Sequence, residues 1–134
     1  MIVTPFAGRI VALGNPPVEV RIDNRGDLRR GVVVLGLTSY HGWFALKTHF
    51  FSVRSYEGRF RARVRRLDQA GIARLGDAPP GGASLDFPPG PATNTISGWR
   101  EWPSFTWMRT AGCYEWTISG RGFQESVVVR AKMP

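Results

Sequence analysis

Gly112-Cys113-Tyr114-Glu115-Trp116-Thr117-Ile118-Ser119, then Gly120-Arg121-Gly122, then Phe123-Gln124-Glu125-Ser126-Val127-Val128-Val129-Arg130 spells out a β-hairpin. Strand side chains alternate between faces with a period of two, so Tyr114, Trp116 and Ile118 fall together on one face of the first strand. In the second strand Val127 and Val129 point one way and Val128 the other. The Gly-rich tripeptide supplies the turn, where glycine takes a positive φ at little steric cost.

A Gly, a Tyr two residues on, then inward aromatic and aliphatic residues at two-residue steps match the penultimate strand of an immunoglobulin-like sandwich. In such domains that Tyr makes a corner hydrogen bond and its strand packs at the core centre. The expected fold is therefore all-β, an antiparallel immunoglobulin-like β-sandwich of about seven to nine strands. Tyr114, Trp116 and Ile118 are its expected structural core.

The rest of the chain supports one domain spanning residues 1–134. Its 134 residues, 43% hydrophobic, suffice for a single core. Ile10 to Leu13 reads as a short strand ended by the turn Gly14-Asn15-Pro16-Pro17. Val18, Val20 and Ile22 alternate with Glu19 and Arg21 as a half-buried strand. Gly31 to Leu37 is continuously apolar, which suits a strand covered on both faces or lying at the core centre. Gly42 to Val53 and Glu57 to Leu67 follow as strands. Leu67 to Leu75 is the nearest helix candidate, broken by Gly71. Residues 77–95 hold five Pro and three Gly and read as a surface loop with Leu85 and Phe87 resting on the body. Trp99 to Met108 resumes as a strand interrupted at Pro103.

Net charge is +8, and sixteen of the eighteen basic residues are Arg. That surplus favours anionic partners such as nucleic acid, acidic polymers or membrane surfaces, although an Arg-rich coding bias produces the same composition. Cys113 is the sole cysteine, which excludes an intrachain disulfide and a four-cysteine zinc site. The N-terminus lacks the basic and apolar regions of a signal peptide, as expected of a chain that is not exported or is a mature fragment with an added Met. The longest apolar run is far too short to span a bilayer, and a soluble protein is expected.

Two segments carry a family resemblance. One is Gly58-Arg59-Phe60-Arg61-Ala62-Arg63-Val64-Arg65-Arg66-Leu67-Asp68; the other is Ala111-Gly112-Cys113-Tyr114-Glu115-Trp116-Thr117 with the later Val127-Val128-Val129. Together they resemble small bacterial exported or lipoprotein-like immunoglobulin-like domains of unknown function. Those carry a G-R-R-L-D strand and a final hairpin opening P-G-C-W-E-x-T. The resemblance covers roughly the C-terminal 90 residues. Here Thr110-Ala111 replaces the usual Pro, Tyr114 the Trp, and Val64 the Gly before Arg65, and no lipobox is present. The resemblance implies an extracellular or cell-surface module in bacteria and brings no catalytic residues with it.

Two constellations bear on function. Arg59, Arg61, Arg63 and Arg65 share one face of a strand, roughly 7 Å apart, and repel unless something anionic lies over them. They form the candidate anion-binding stripe, since guanidinium forks grip phosphates and carboxylates. Cross-strand acids or a simple solvated face are the alternatives. Trp99 and Trp102 lie beside Arg100 on opposite faces, so one of them is a candidate to stack on a sugar or base. Phe105 and Trp107 share a face and read as core. His41 and His49 have no carboxylate or Cys at a spacing that makes a metal site or triad with them, and no Gly-rich phosphate loop is present.

The expected function is therefore a non-enzymatic, surface-associated binding or assembly module with a protein partner or assembly neighbours, without cofactor or metal. The alternatives are a basic structural subunit of a virion or filament, or an anionic-polymer-binding domain using the arginine face. The virion and the cytoplasm are the corresponding alternative locations.

Overall fold

The computed structural model describes residues 2–3, 11–36, 40–68, 73–77, 81–96 and 98–134. In chain order its strands are β1 (Ile2–Val3), β2 (Val11–Ala12), β3 (Val18–Ile22), β4 (Val32–Val34), β5 (Phe44–Ser52) and β6 (Phe60–Arg66). They continue with β7 (Ala73–Leu75), β8 (Ser84–Phe87), β9 (Asn94–Ile96), β10 (Trp99–Met108), β11 (Gly112–Gly120) and β12 (Phe123–Lys132). A 3-10 turn at Leu28–Arg30 is the one helical element among the described residues.

The expected hairpin is β11–β12, with Tyr114 opposite Val129, Trp116 opposite Val127 and Ile118 opposite Glu125. Its turn demands glycine twice. A Cβ on Gly120 would collide with the Phe123 ring, and Gly122 has φ +83°. The hairpin lies within one sheet, ordered β4-β12-β11-β6-β8, in which β4 runs parallel to β12 and all other pairs are antiparallel. The other sheet is ordered β3-β5-β10-β7, with β9 also paired to β10. The protein is thus a β-sandwich of two largely antiparallel sheets, five strands in each, with β1 and β2 paired apart from them.

One hydrophobic cluster fills the space between the sheets. Trp116 and Ile118 are fully buried, as are Phe50, Val18 and Val20 from the facing sheet. Val127 and Val129 point inward while Val128 is 51% exposed, the alternation a strand imposes. The core is not wholly apolar. Thr48 and Thr106 share a 2.7 Å hydroxyl hydrogen bond, and the Trp116 indole N–H donates to Thr106 Oγ1 at 3.3 Å. These bonds satisfy groups that would be costly to bury alone. Tyr114 donates its hydroxyl to the Thr110 carbonyl at 2.7 Å, four residues upstream, closing the corner into β11.

Several expectations are corrected. Residues 77–95 are not loop throughout. The prolines flank the run Ser84-Leu85-Asp86-Phe87, which is free to form β8 against β6, and Asn94 opens β9. These short strands, with β7, raise the count above seven to nine. Phe87 is buried and Leu85 packs on the core. Strand β10 is continuous through Pro103, which pairs with His49 on one side and falls in the gap between β9 and β7 on the other. A residue without an N–H is tolerated where a neighbouring strand is missing. The helix candidate over Leu67 to Leu75 ends in β7, its middle lying outside the described residues. Ile10 and Leu37, the ends of two expected strands, also lie outside them.

Candidate functional site

Strand β6 presents its arginines as alternation requires. Phe60, Ala62 and Val64 are buried, Arg61, Arg63 and Arg65 are exposed on the outer face of their sheet, and Arg59, just before the strand, is exposed as well. Neighbouring strands decide what each arginine meets. Arg61 lies opposite Asp86 of β8 and grips it with two hydrogen bonds, Nε to Oδ1 at 2.7 Å and Nη2 to Oδ2 at 3.3 Å. Arg65 lies opposite Glu115 of β11 and donates Nε to Oε1 at 2.9 Å. Arg63 instead meets hydroxyl residues, Thr117 on one side and Ser84 on the other. Cross-strand acids therefore take two of the four. Arg59 and Arg63 have no ion pair among the described residues.

The face remains strongly positive. The hydrogen bond from Arg61, with the charges of Arg61, Arg59 and Arg63, holds the Asp86 carboxyl below its ordinary pKa. Arg130 adds another exposed cation from β12, and Arg121 from the β11–β12 turn. Ser119, Ser126 and Gln124 belong to the same outward-facing set as Thr117. Guanidinium forks set among hydroxyl donors suit oxyanions.

At one end the face deepens into a cleft of about 520 Å³ lined by Arg59, Arg61, Asp86, Pro89, Ser119 and Arg121, with Gly58, Phe60 and Gly120 completing it. Its walls are tied together. The Tyr56 hydroxyl donates to the Arg59 carbonyl at 2.5 Å and accepts from the Arg121 backbone N–H at 3.3 Å. Beneath, the buried Arg100 donates to the Gly90 carbonyl at 2.6 Å, the Gly58 carbonyl at 3.0 Å and Ser52 Oγ at 3.2 Å. Burial lowers the Arg100 pKa, opposed by the charge of Glu57. Sequence reasoning missed Arg121 and this cleft. The one signal for it was a charged residue at the tip of the Gly-rich turn, which places it beyond strand parity.

The aromatic pair does not form a surface site. Trp102 is 8% exposed and packs edge-on against Phe60 and Phe87 in the core, with Arg100 over its ring at 4.6 Å. Trp99 is half-buried on the other face of β10. Phe105 and Trp107 share a face as expected, but it is not the face toward the core between the sheets. Core-facing positions of β10 are the even ones, so both lie on the outer face of their sheet, where Trp107 is covered and donates its indole N–H to the Gly76 carbonyl at 2.8 Å.

The histidines are also corrected. His41 sits in the exposed turn before β5, with φ 48°, most of a strand away from His49. His49 does have carboxylate neighbours, brought by strand pairing rather than by sequence spacing. Its Nε2 is 3.0 Å from Asp23 Oδ2 and its Nδ1 is 3.8 Å from Glu101 Oε1. Burial raises the Asp23 pKa, but hydrogen bonds and charge from His49 and Arg21 outweigh it, leaving a net lowering. Both ring nitrogens thus face carboxylates, an arrangement that bridges strands. Among the described residues no group of three His, Cys, Asp or Glu side chains is placed to hold a metal, and no helix is long and apolar enough to cross a membrane.

No protein-family model matches the chain, and no curated protein matches it.

Proposed function

We propose that this protein is a non-enzymatic binding module of immunoglobulin-like type that engages an anionic polymer through the outer face of the β6 sheet. The observation that carries the reading is the pair Arg59 and Arg63. Arg63 lies on the outer face of β6 and Arg59 immediately precedes that strand; both are exposed, without an ion pair among the described residues, and Arg59 lines the cleft with Arg121 while Arg63 pairs with hydroxyl residues. Uncompensated like charges at this spacing raise the local potential and favour a polyanion over a neutral partner. The immunoglobulin-like assignment is supported by the Tyr114–Thr110 corner bond and by the sheet order with a parallel β4–β12 edge. The bacterial surface setting is supported by the motif resemblance alone.

Retention on immobilised heparin and on duplex DNA at low salt tests the reading. Wild-type protein is expected to be retained by a polyanion and released as salt rises. Absence of retention by both, with the protein folded, overturns it.

A further inference from the structure

We propose that the cleft between β6 and the β11–β12 turn is a subsite for one acidic sugar unit, a ring carrying both free hydroxyls and a sulfate or carboxylate group. The inference rests on the anionic-polymer reading and narrows it from any polyanion to an acidic polysaccharide.

Three features of the cleft select this chemistry. Arg59 and Arg121 present guanidinium groups without ion pairs among the described residues, and Tyr56 pins the backbone of both. They supply two forks for oxyanions. Asp86 is held ionised by Arg61 yet is 68% exposed, so it keeps acceptor capacity toward the cleft. A carboxylate there accepts hydrogen bonds from sugar hydroxyls, of which a bare phosphodiester chain has far fewer to offer. Pro89 and the glycines Gly58 and Gly120 also line the cleft and add weakly polar surface for the C–H groups of a ring.

What the cleft lacks argues against nucleic acid. Modules for single strands stack bases on aromatic side chains. The aromatic ring in this lining belongs to Phe60, which is 2% exposed and stacked on Phe87 at 4.4 Å, leaving no face for a base. A volume of about 520 Å³ accommodates a mono- or disaccharide and falls in the usual range of small-ligand pockets. The hydrogen bonds from Arg100 to the Gly58 and Gly90 carbonyls tie down the backbone at Gly58 and next to Pro89, which lowers the ordering cost of binding.

The test titrates the full chain at low salt with a trisulfated heparin disaccharide, inorganic sulfate and a short thymidine oligonucleotide. Backbone amide shifts map the site and calorimetry gives the affinity. The disaccharide is expected to bind most tightly and to shift Ser119, Gly120 and Arg121. Arg59→Gln and Arg121→Gln are each expected to weaken it about tenfold, and Arg63→Gln, outside the cleft, less than about twofold. Equal loss in Arg63→Gln, sulfate binding as tightly as the disaccharide, or tighter binding of the oligonucleotide overturns the subsite. Heparin retention without disaccharide binding removes the subsite and leaves the polymer reading standing; loss of both removes both. Circular dichroism of each variant separates lost binding from lost folding.

Discussion

Glu19 of β3 and Glu125 of β12 are electrostatic neighbours at one end of the sandwich. Glu19 is fully buried with neither carboxylate oxygen hydrogen-bonded, and Glu125 has one buried oxygen without a partner. The other Glu125 oxygen accepts from the Asn15 N–H at 3.3 Å, while the unpartnered one lies against Gly14. Burial pushes both groups up to a pKa of about 7, and the charge of Glu19 adds to the rise at Glu125.

The sign of the pH dependence follows. Both carboxyls bind a proton more tightly folded than unfolded, so the folded state is favoured below the ordinary carboxyl pKa of 4.5 and loses stability as pH rises to about 7. Fully buried Glu19 contributes on the order of 3 kcal/mol to that fall. Asp23, with its pKa lowered, acts in the opposite sense and only in more acid solution. Urea unfolding at pH 5 and pH 8 is expected to show a clearly lower midpoint at pH 8. Glu19→Gln is expected to shrink the difference by stabilising the protein at pH 8, leaving the part that Glu125 contributes. A midpoint that rises from pH 5 to pH 8 contradicts the account.

Trp116 lies at the centre of the sandwich, fully buried and hydrogen-bonded to Thr106. Trp116→Ala leaves a large cavity and removes one hydrogen bond to Thr106, and is expected to cost about 3 to 5 kcal/mol. Half-buried Trp99 is expected to cost less on the same change. Denaturant titrations of the two variants give the comparison, and equal losses would refute the ranking.

The corner bond from Tyr114 to the Thr110 carbonyl is testable by a single atom. Tyr114→Phe keeps the ring in the core and leaves a carbonyl unpaired, which predicts a loss of about 1 to 2 kcal/mol. An unchanged unfolding midpoint would show that the bond contributes nothing net.

What the sequence made legible was local. The parity of Tyr114, Trp116 and Ile118 and of the β6 arginines depends only on the two-residue period, and the structure keeps it. Contacts set by strand pairing were not legible. Asp86 and Glu115 reach their arginines across 25 and 50 residues of chain, and Asp23 reaches His49 across 26. No spacing rule along one strand encodes those distances. Pro103 misled for the same reason, because its tolerance depends on β9 and β7 ending on either side of it. The cleft combines three separate segments and was therefore invisible to any single-strand pattern.

The arginine pairs make the salt dependence of polymer binding specific. Each phosphate or sulfate neutralised by an arginine releases bound counterions, so the logarithm of affinity falls linearly with the logarithm of salt. Arg59 and Arg63 have no ion pair among the described residues and are the ones able to neutralise a ligand charge at no internal cost. Arg61 and Arg65 must first share or give up Asp86 and Glu115. The double variant Arg59→Gln/Arg63→Gln is expected to reduce the magnitude of the salt slope for heparin by roughly 1 to 2. The double variant Arg61→Gln/Arg65→Gln frees two carboxylates on the same face. It is expected to weaken binding through repulsion, with affinity partly restored when Asp86→Asn and Glu115→Gln are added. Affinity measured at several salt concentrations decides the matter, and identical slopes for the two double variants would show that the ion pairs do not distinguish these arginines.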